Sequence, residues 1–200
     1  SAGLALGTGD LLGAPISVSQ RKAAADKVKI AYVGIGNRGE QIIGDFARTG
    51  MVEVVALCDV DMGAPHTQKV MNMYPKAKRF RDFRQMFDKA GNDFDAVAIA
   101  TPDHSHFPIT MLALASGKHV YVEKPLARTF YEAELLMQAA LKRPNLVTQV
   151  GNQGHSEANY FQFKAWMDAG IIKDVTAVTA HMNNPVSYTH LRAHETSAHL

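Results

Sequence analysis

Apolar positions along the chain fall in short unbroken runs that alternate with longer stretches of helical spacing. The first run, KVKIAYVGIG from Lys27, ends in glycines and predicts a buried strand. RGEQIIGDFARTG follows, with Ile42, Ile43, Phe46 and Ala47 on one side and Gly50 at its stop, and predicts a helix. The alternation then repeats. VEVVALCDVD, KAKRF, FDAVAIATP, KHVYVEKP and NLVTQVGN read as strands, and PHTQKVMNMYP, RDFRQMFDKAG, FPITMLALASG and FYEAELLMQAALKRP as the helices between them. Such alternation implies βαβ units, right-handed crossovers and a parallel sheet. The strands are nearly all apolar, as expected when helices cover both faces. The expected fold class is α/β: a doubly wound parallel Rossmann sheet of six strands over residues 28–151. Beyond it, EANYFQFKAWMDAG predicts one more helix and DVTAVTAHMNN one more strand, opening a second unit whose strand needs partners.

Composition narrows the class. Of 200 residues, 46% are hydrophobic and 20% charged, as in a folded globular chain. The 21 Lys and Arg are scattered against 19 Asp and Glu, so there is no nucleic-acid footprint. No apolar run reaches the ~18 residues of a membrane span. Cys58 is the single cysteine, which excludes an internal disulfide and leaves the redox compartment open. Residues 1–27 form a leader rich in Ala, Gly, Leu and Ser. It fits the back half of an export signal, although a basic start is missing and Asp10 interrupts the apolar part. A signal remnant implies export to the periplasm; a flexible arm implies a cytoplasmic protein.

Chemistry enters at the end of the first strand. Gly34-Ile35-Gly36-Asn37-Arg38-Gly39 is G-x-G-x-x-G between a strand and a helix. In that setting the first glycine permits the tight turn and the second lets backbone approach a pyrophosphate. The third lets the helix pack on the strand. The helix N-terminus adds free N–H groups and the positive end of its dipole. The motif alone is weak, because glycine turns are common, and the plain structural alternative is a turn beside a solvated acid. Asp59 strengthens it. It ends the second strand, twenty residues beyond Gly39, where a carboxylate accepts hydrogen bonds from the adenosine ribose. An acid there repels a 2′-phosphate, so NAD is expected over NADP. Arg38, inside the turn, leaves that preference open.

In open α/β sheets, ligands bind beyond the carboxyl ends of the strands. Three more strand ends carry polar groups: ATPDHSHFP, VEKPL and GNQGHS. Together VGIGNRG, CDVD, TPDHSH, VEKPL and GNQGH resemble the Gfo/Idh/MocA oxidoreductase family over roughly residues 28–185. The resemblance implies a Rossmann domain followed by an α+β domain on a large open sheet, with residues 152–185 as its truncated start. It also implies hydride transfer between a nicotinamide and a sugar or cyclitol carbon. The NRG turn and GNQGHS are similar as well to a branch that cleaves glycosides by transient oxidation with bound NAD.

Carried over by motif, Lys124 would be the catalytic lysine at the reacting hydroxyl, and Glu123 would contact the nicotinamide ribose or hold Lys124. Removing a hydride from an alcohol carbon leaves a proton on oxygen. A lysine amine beside a positive nicotinamide hydrogen-bonds that hydroxyl and helps take the proton. Thr101 and Pro102 are expected beside the cofactor, with one histidine of His104 and His106, preferably His106. Asn152 is expected at the cofactor, and Gln153 and His155 at the substrate. The resemblance further implies a cis Lys124–Pro125 peptide. No metal is expected: zinc held by His104, His106 and His155 is disfavoured, because hydride transfer to NAD needs none when a lysine is present. Outside enzymes, the alternative is a non-catalytic dinucleotide-binding protein on the same fold, and a basic group at the hydride position argues against it. The expected partners are a small sugar-like substrate and, for the whole protein, further copies of itself.

The tail breaks the pattern. In VSYTHLRAHETSAHL, residues 186–200, His190 and His194 stand four apart and Glu195 follows, a spacing that puts both histidines on one helical face as in zinc sites. Yet the segment has neither strand alternation nor an apolar face. It resembles a translated sequencing-adapter read, which would make the spacing an accident. A divergent family tail and a true metal-binding tail are the alternatives. On the adapter reading the chain lacks the His and Asp that family members draw from the second domain, and no turnover is expected from it as written.

Overall fold

A computed structural model describes residues 27–152, 154 and 157–179. The leader before Lys27, Gln153, His155 and the histidine-bearing tail lie outside the described residues. The chain divides into two units, one ending at Asn152 and one beginning beyond it.

In the first unit, six strands form one sheet: β1 (Val28–Val33), β2 (Val52–Cys58), β3 (Lys78–Phe80), β4 (Ala96–Ile99), β5 (His119–Glu123) and β6 (Thr148–Gly151). Their order is β3-β2-β1-β4-β5-β6, and every neighbouring pair is parallel. The helices between them are α1 (Arg38–Arg48), α2 (Pro65–Met73), α3 (Phe83–Ala90), α4 (His106–Ala115) and α5 (Phe130–Leu141). This is the doubly wound Rossmann order, and the winding reverses between β1 and β4.

Strand parity divides the core. Successive side chains of a strand point to opposite faces. Ala31, Val33, Ala56, Cys58, Val97 and Ile99 therefore pack with Met86 of α3, Ile109 of α4 and Leu136 of α5. Ile30, Tyr32, Leu57 and Ala98 pack with Ile42 and Ile43 of α1 and Val70 of α2. Both faces are covered, which is why the strands read as unbroken apolar runs. Local signals set the helix ends. The Thr49 and Gly50 amides donate to the carbonyls of Phe46 and Ala47, and Gly50 stops α1 at φ 68°. At the start of α5, Thr129 Oγ1 accepts the Glu132 amide (3.1 Å) while the Glu132 carboxylate accepts the Thr129 amide (3.2 Å).

Several expected strand ends need correction. The strand expected from Lys76 begins at Lys78, and the one expected over 94–102 is confined to Ala96–Ile99. Past Ile99 the chain turns through Thr101 and Pro102 into a 3₁₀ turn at Asp103–Ser105. In the second unit, α6 (Ala158–Asp168) forms as expected, with Tyr160, Phe161, Phe163 and Trp166 exposed. Of the strand expected over 174–184, residues 174–179 are not paired in a sheet and Asp174 sits at φ 52°, while 180–184 lie outside the described residues. A strand gains its hydrogen bonds from a neighbour, and none of the described residues of this unit supplies one. No described helix is long and apolar enough to cross a membrane.

Two glycines of α1 make opposite predictions. A Cβ on Gly39 would overlap the Gly34 carbonyl, whereas one on Gly44 meets nothing within 4 Å. Gly39→Ala is expected to destabilise the chain by about 1–3 kcal/mol through overpacking against backbone. Gly44→Ala should stabilise it by roughly 0.5–1 kcal/mol, because alanine loses less backbone entropy in a helix. Denaturant midpoints measure both, and a shift in the same direction would contradict this packing.

Candidate functional site

The turn after β1 is built on close backbone approach. Gly34 has φ 81°, and a Cβ there would lie 2.6 Å from the Ala100 carbonyl oxygen at the end of β4. Asn37 is also left-handed, at φ 48°, and starts α1. Asp59, just past β2, is tied to this turn. One carboxylate oxygen accepts the Ile35 amide at 2.9 Å and the other accepts the Asp61 amide at 3.0 Å. Next to it, burial pushes the Cys58 thiol up to about 12, helped by the charge of Asp59, so the thiol is inert.

A cavity of about 490 Å³ opens over these strand ends. Gly34, Gly36, Asn37, Asp59, Thr101, Pro102 and His104 all line it. The fit to a dinucleotide rests on two features of this wall. The glycine backbone is bare where a diphosphate needs close approach. The buried Thr101 hydroxyl has no hydrogen-bond partner among the described residues, a polar group still to be satisfied. Sequence reasoning passed over three further lining residues, Asp61, His66 and Arg81. Arg81 donates to the carbonyls of Val60 (3.2 Å) and Met62 (2.6 Å), fixing the loop between β2 and α2. Its place at the end of β3 was the available signal.

The end of β5 is organised differently. Glu123 is 4% exposed, and its Oε1 accepts both Arg38 Nη2 and the Tyr121 hydroxyl at 3.0 Å. The bond to Glu123 raises the Arg38 guanidinium above its ordinary value. Burial, then the bond to Glu123, raises the Tyr121 phenol. Gly151 pairs with Glu123 in the sheet, and a Cβ there would stand 2.5 Å from both Glu123 Oε1 and the Tyr121 hydroxyl. The geometry thus places Arg38 toward β5, with Nη1 on Gln41 (3.0 Å), rather than at the ribose beside Asp59. Tyr121 and Gly151 are site residues that sequence reasoning missed; Tyr121 lies two before Glu123, on the same strand face.

Two histidines part company. His104 is exposed and lines the cavity. His106 is 1% exposed and is not among the lining residues. Its Nδ1 lies 2.6 Å from the Pro125 carbonyl oxygen and its Nε2 2.8 Å from that of Thr101, so the ring joins the loops after β4 and β5. Lys124 is exposed at the end of β5, and its peptide to Pro125 is cis. Asn152 is exposed just past β6.

A switch-point cavity, a bare glycine turn and a tethered acid define a dinucleotide-binding Rossmann domain. Residues 28–152 match the family model described as "Oxidoreductase family, NAD-binding Rossmann fold". The chain belongs to the Gfo/Idh/MocA oxidoreductase family. It is 31% identical over 147 residues to an inositol 2-dehydrogenase of Salmonella typhimurium, covering 72% of this chain and 43% of that protein. It is 28% identical over 197 residues to a glycosyl hydrolase family 109 protein of Shewanella sp. ANA-3, covering 82% of this chain and 43% of that protein. Its fold matches a scyllo-inositol dehydrogenase from Lactobacillus casei solved with NAD(H) and scyllo-inositol, at TM-score 0.66 and 29% identity, covering 76% of this chain and 44% of that one. The chain spans less than half the length of the curated relatives it matches.

Removing one partner of the Arg38–Glu123 pair leaves a buried charge uncompensated. Arg38→Met is expected to cost about 3 kcal/mol, the low end for a buried pair, because the guanidinium is a third exposed. The double variant Arg38→Met/Glu123→Gln should cost at least about 1 kcal/mol less than the sum of the two single changes. Chemical denaturation of the four proteins closes the cycle, and strict additivity would show that the two groups are not coupled.

Proposed function

We propose that the protein is an NAD-dependent dehydrogenase that oxidises a ring hydroxyl of a cyclitol or sugar. The observation that carries this reading is the pairing of the dinucleotide cavity with an exposed lysine at the neighbouring strand end, that of β5. The inositol dehydrogenases among its relatives, one of them solved with scyllo-inositol, supply the substrate class. Gly34, Gly36, Asn37 and Gly39 hold the diphosphate, and Asp59 accepts from the adenosine ribose. Thr101 and Pro102 border the cofactor, and Asn152 stands at its reactive end. The bound nicotinamide supplies the hydride acceptor. Lys124 holds the substrate hydroxyl and helps take its proton. Glu123 orients the strand end through Arg38 and Tyr121, and His106 holds the loop that carries Lys124. Asp59 and Asp61 on the ribose side set NAD above NADP, since a 2′-phosphate would face two carboxylates.

The family 109 relative, which matches 82% of the chain, supports a second reading: NAD-dependent glycoside cleavage by transient oxidation. Products separate the two. NADH that accumulates with a ketone from myo- or scyllo-inositol supports the dehydrogenase. Free sugar from a glycoside with no net NADH supports the glycosidase.

Two outcomes test the residues. Asp59→Ala should weaken NAD binding in calorimetry and narrow the margin over NADP, and equal or tighter NADP binding by the unaltered protein would refute the assignment. In a protein carrying the complete second domain, Lys124→Met should lower turnover by about 10²–10⁴-fold while NAD binding persists. Unchanged turnover would remove Lys124 from the chemistry.

A further inference from the structure

His66 occupies a place that the glycine motif does not account for. It is the second residue of α2, after Pro65, and follows the loop that leaves β2. That position puts it over the carboxyl ends of β1 and β2. A Cβ built on Gly36 would overlap His66 Cδ2, with Cγ at 3.2 Å and Nε2 at 3.3 Å. The imidazole therefore lies against the one glycine whose bare backbone a diphosphate approaches. The side chain is exposed, lines the cavity, and is held by no hydrogen bond or ion pair among the described residues.

Some of the turn's own amides are already committed. The Gly34 amide is spent on the Cys58 carbonyl, Ile35 on Asp59, and Gly39 on the Gly36 carbonyl. The cavity's other charged groups do not fill the gap. Asp59 and Asp61 are acids, and the guanidinium of Arg81 is committed to the carbonyls of Val60 and Met62. His104 stands on the far wall, after β4. A doubly charged diphosphate entering over Gly36 meets the His66 imidazole lying against that glycine, and a donor to an anionic oxygen is among the stronger hydrogen bonds.

We propose that His66 donates a hydrogen bond to the diphosphate of bound NAD and closes the glycine cradle from the α2 side. The proposal rests on the reading that the glycine turn binds NAD. The test uses the full chain, with calorimetry against NAD, ADP and adenosine. His66→Ala should weaken NAD and ADP roughly ten- to hundredfold, the range of a hydrogen bond to a charged group. It should leave adenosine, which has no phosphate, unchanged. His66→Gln, which keeps an N–H donor, should recover most of the loss. Thermal melting of both variants should match the parent, since the ring is exposed.

Four results would overturn the proposal. Equal NAD affinity in His66→Ala shows the ring to be a bystander. Tighter binding shows it to be a plug. An equal loss for adenosine shows that it stacks on the base. Failure of His66→Gln to recover affinity shows that donation is not its role. Each leaves the NAD site itself standing. If the unaltered protein binds no NAD at all, the cofactor reading fails first and the proposal falls with it.

Discussion

Backbone meets backbone at the glycine turn with no side chain between, and the rest of the site is arranged around that contact. The Gly34 amide donates to Cys58 of β2 and the Ala100 amide to Val33 of β1, both at 2.8 Å. Three strand ends are thereby fixed in one plane. A side chain at position 34 would strike Ala100, and one at position 39 would strike Gly34. The first turn of α1 can therefore sit directly over the end of β1 and face its amides into the cavity. Were the helix held one side chain further off, its dipole and free amides would act across more solvent and lose most of their hold on an anion.

The same turn is tethered on both flanks, by different chemistry. Toward β2 the tether is Asp59, which accepts the Ile35 amide. Toward β5 it is Arg38, which reaches Glu123 over the end of β4. A buried ion pair is poor evidence of stability, since apolar groups of similar volume often do as well. Its consequence here is registry. The residue after Glu123 is Lys124, so the pair ties the position of the phosphate turn to that of the amine. His106 adds a second tie, between the loops after β4 and β5. Cofactor and amine are thus referred to one frame, as orientation-dependent chemistry requires.

The parts of this frame legible in the sequence are those carried by period and by spacing along the chain. Unbroken apolar strands reported helices on both faces, and parity along β1 explains why: Ala31 and Val33 serve one core while Ile30 and Tyr32 serve the other. Gly34, Gly36 and Gly39 were legible because a strand precedes and a helix follows. The partners of Arg38 and His106 were not. Glu123 is 85 residues from Arg38, and which way a guanidinium turns depends on strand order rather than on local sequence. The TPDHSH segment offered two histidines and the resemblance favoured His106, whereas the turn at Asp103–Ser105 buries that one and exposes His104 at the cavity. His66 escaped because nothing in PHTQKV marks it; its role comes from the crossover that returns α2 over Gly36. The strand expected from Asp174 is not formed over 174–179 for the converse reason: alternation describes a strand's faces and says nothing of whether a neighbour stands beside it to pair.

The two halves of the chemistry stand in different surroundings. The ends of β1, β2 and β4 carry a walled cavity within the first unit, with acid, threonine and imidazole on its lining. The amine of Lys124 is exposed at the end of β5. Affinity for a dinucleotide draws on the first half, because each contact is made whether or not a substrate arrives. Turnover draws on the second. There an amine in water competes with solvent for its own hydrogen bonds, and a loosely held hydroxyl forgoes the ~7–11 kcal/mol that fixed orientation can remove from a barrier. Binding and catalysis should therefore respond to different parts of the protein: changes at Gly36 or Asp59 move cofactor affinity, and changes to whatever surface closes over Lys124 move rate at constant affinity.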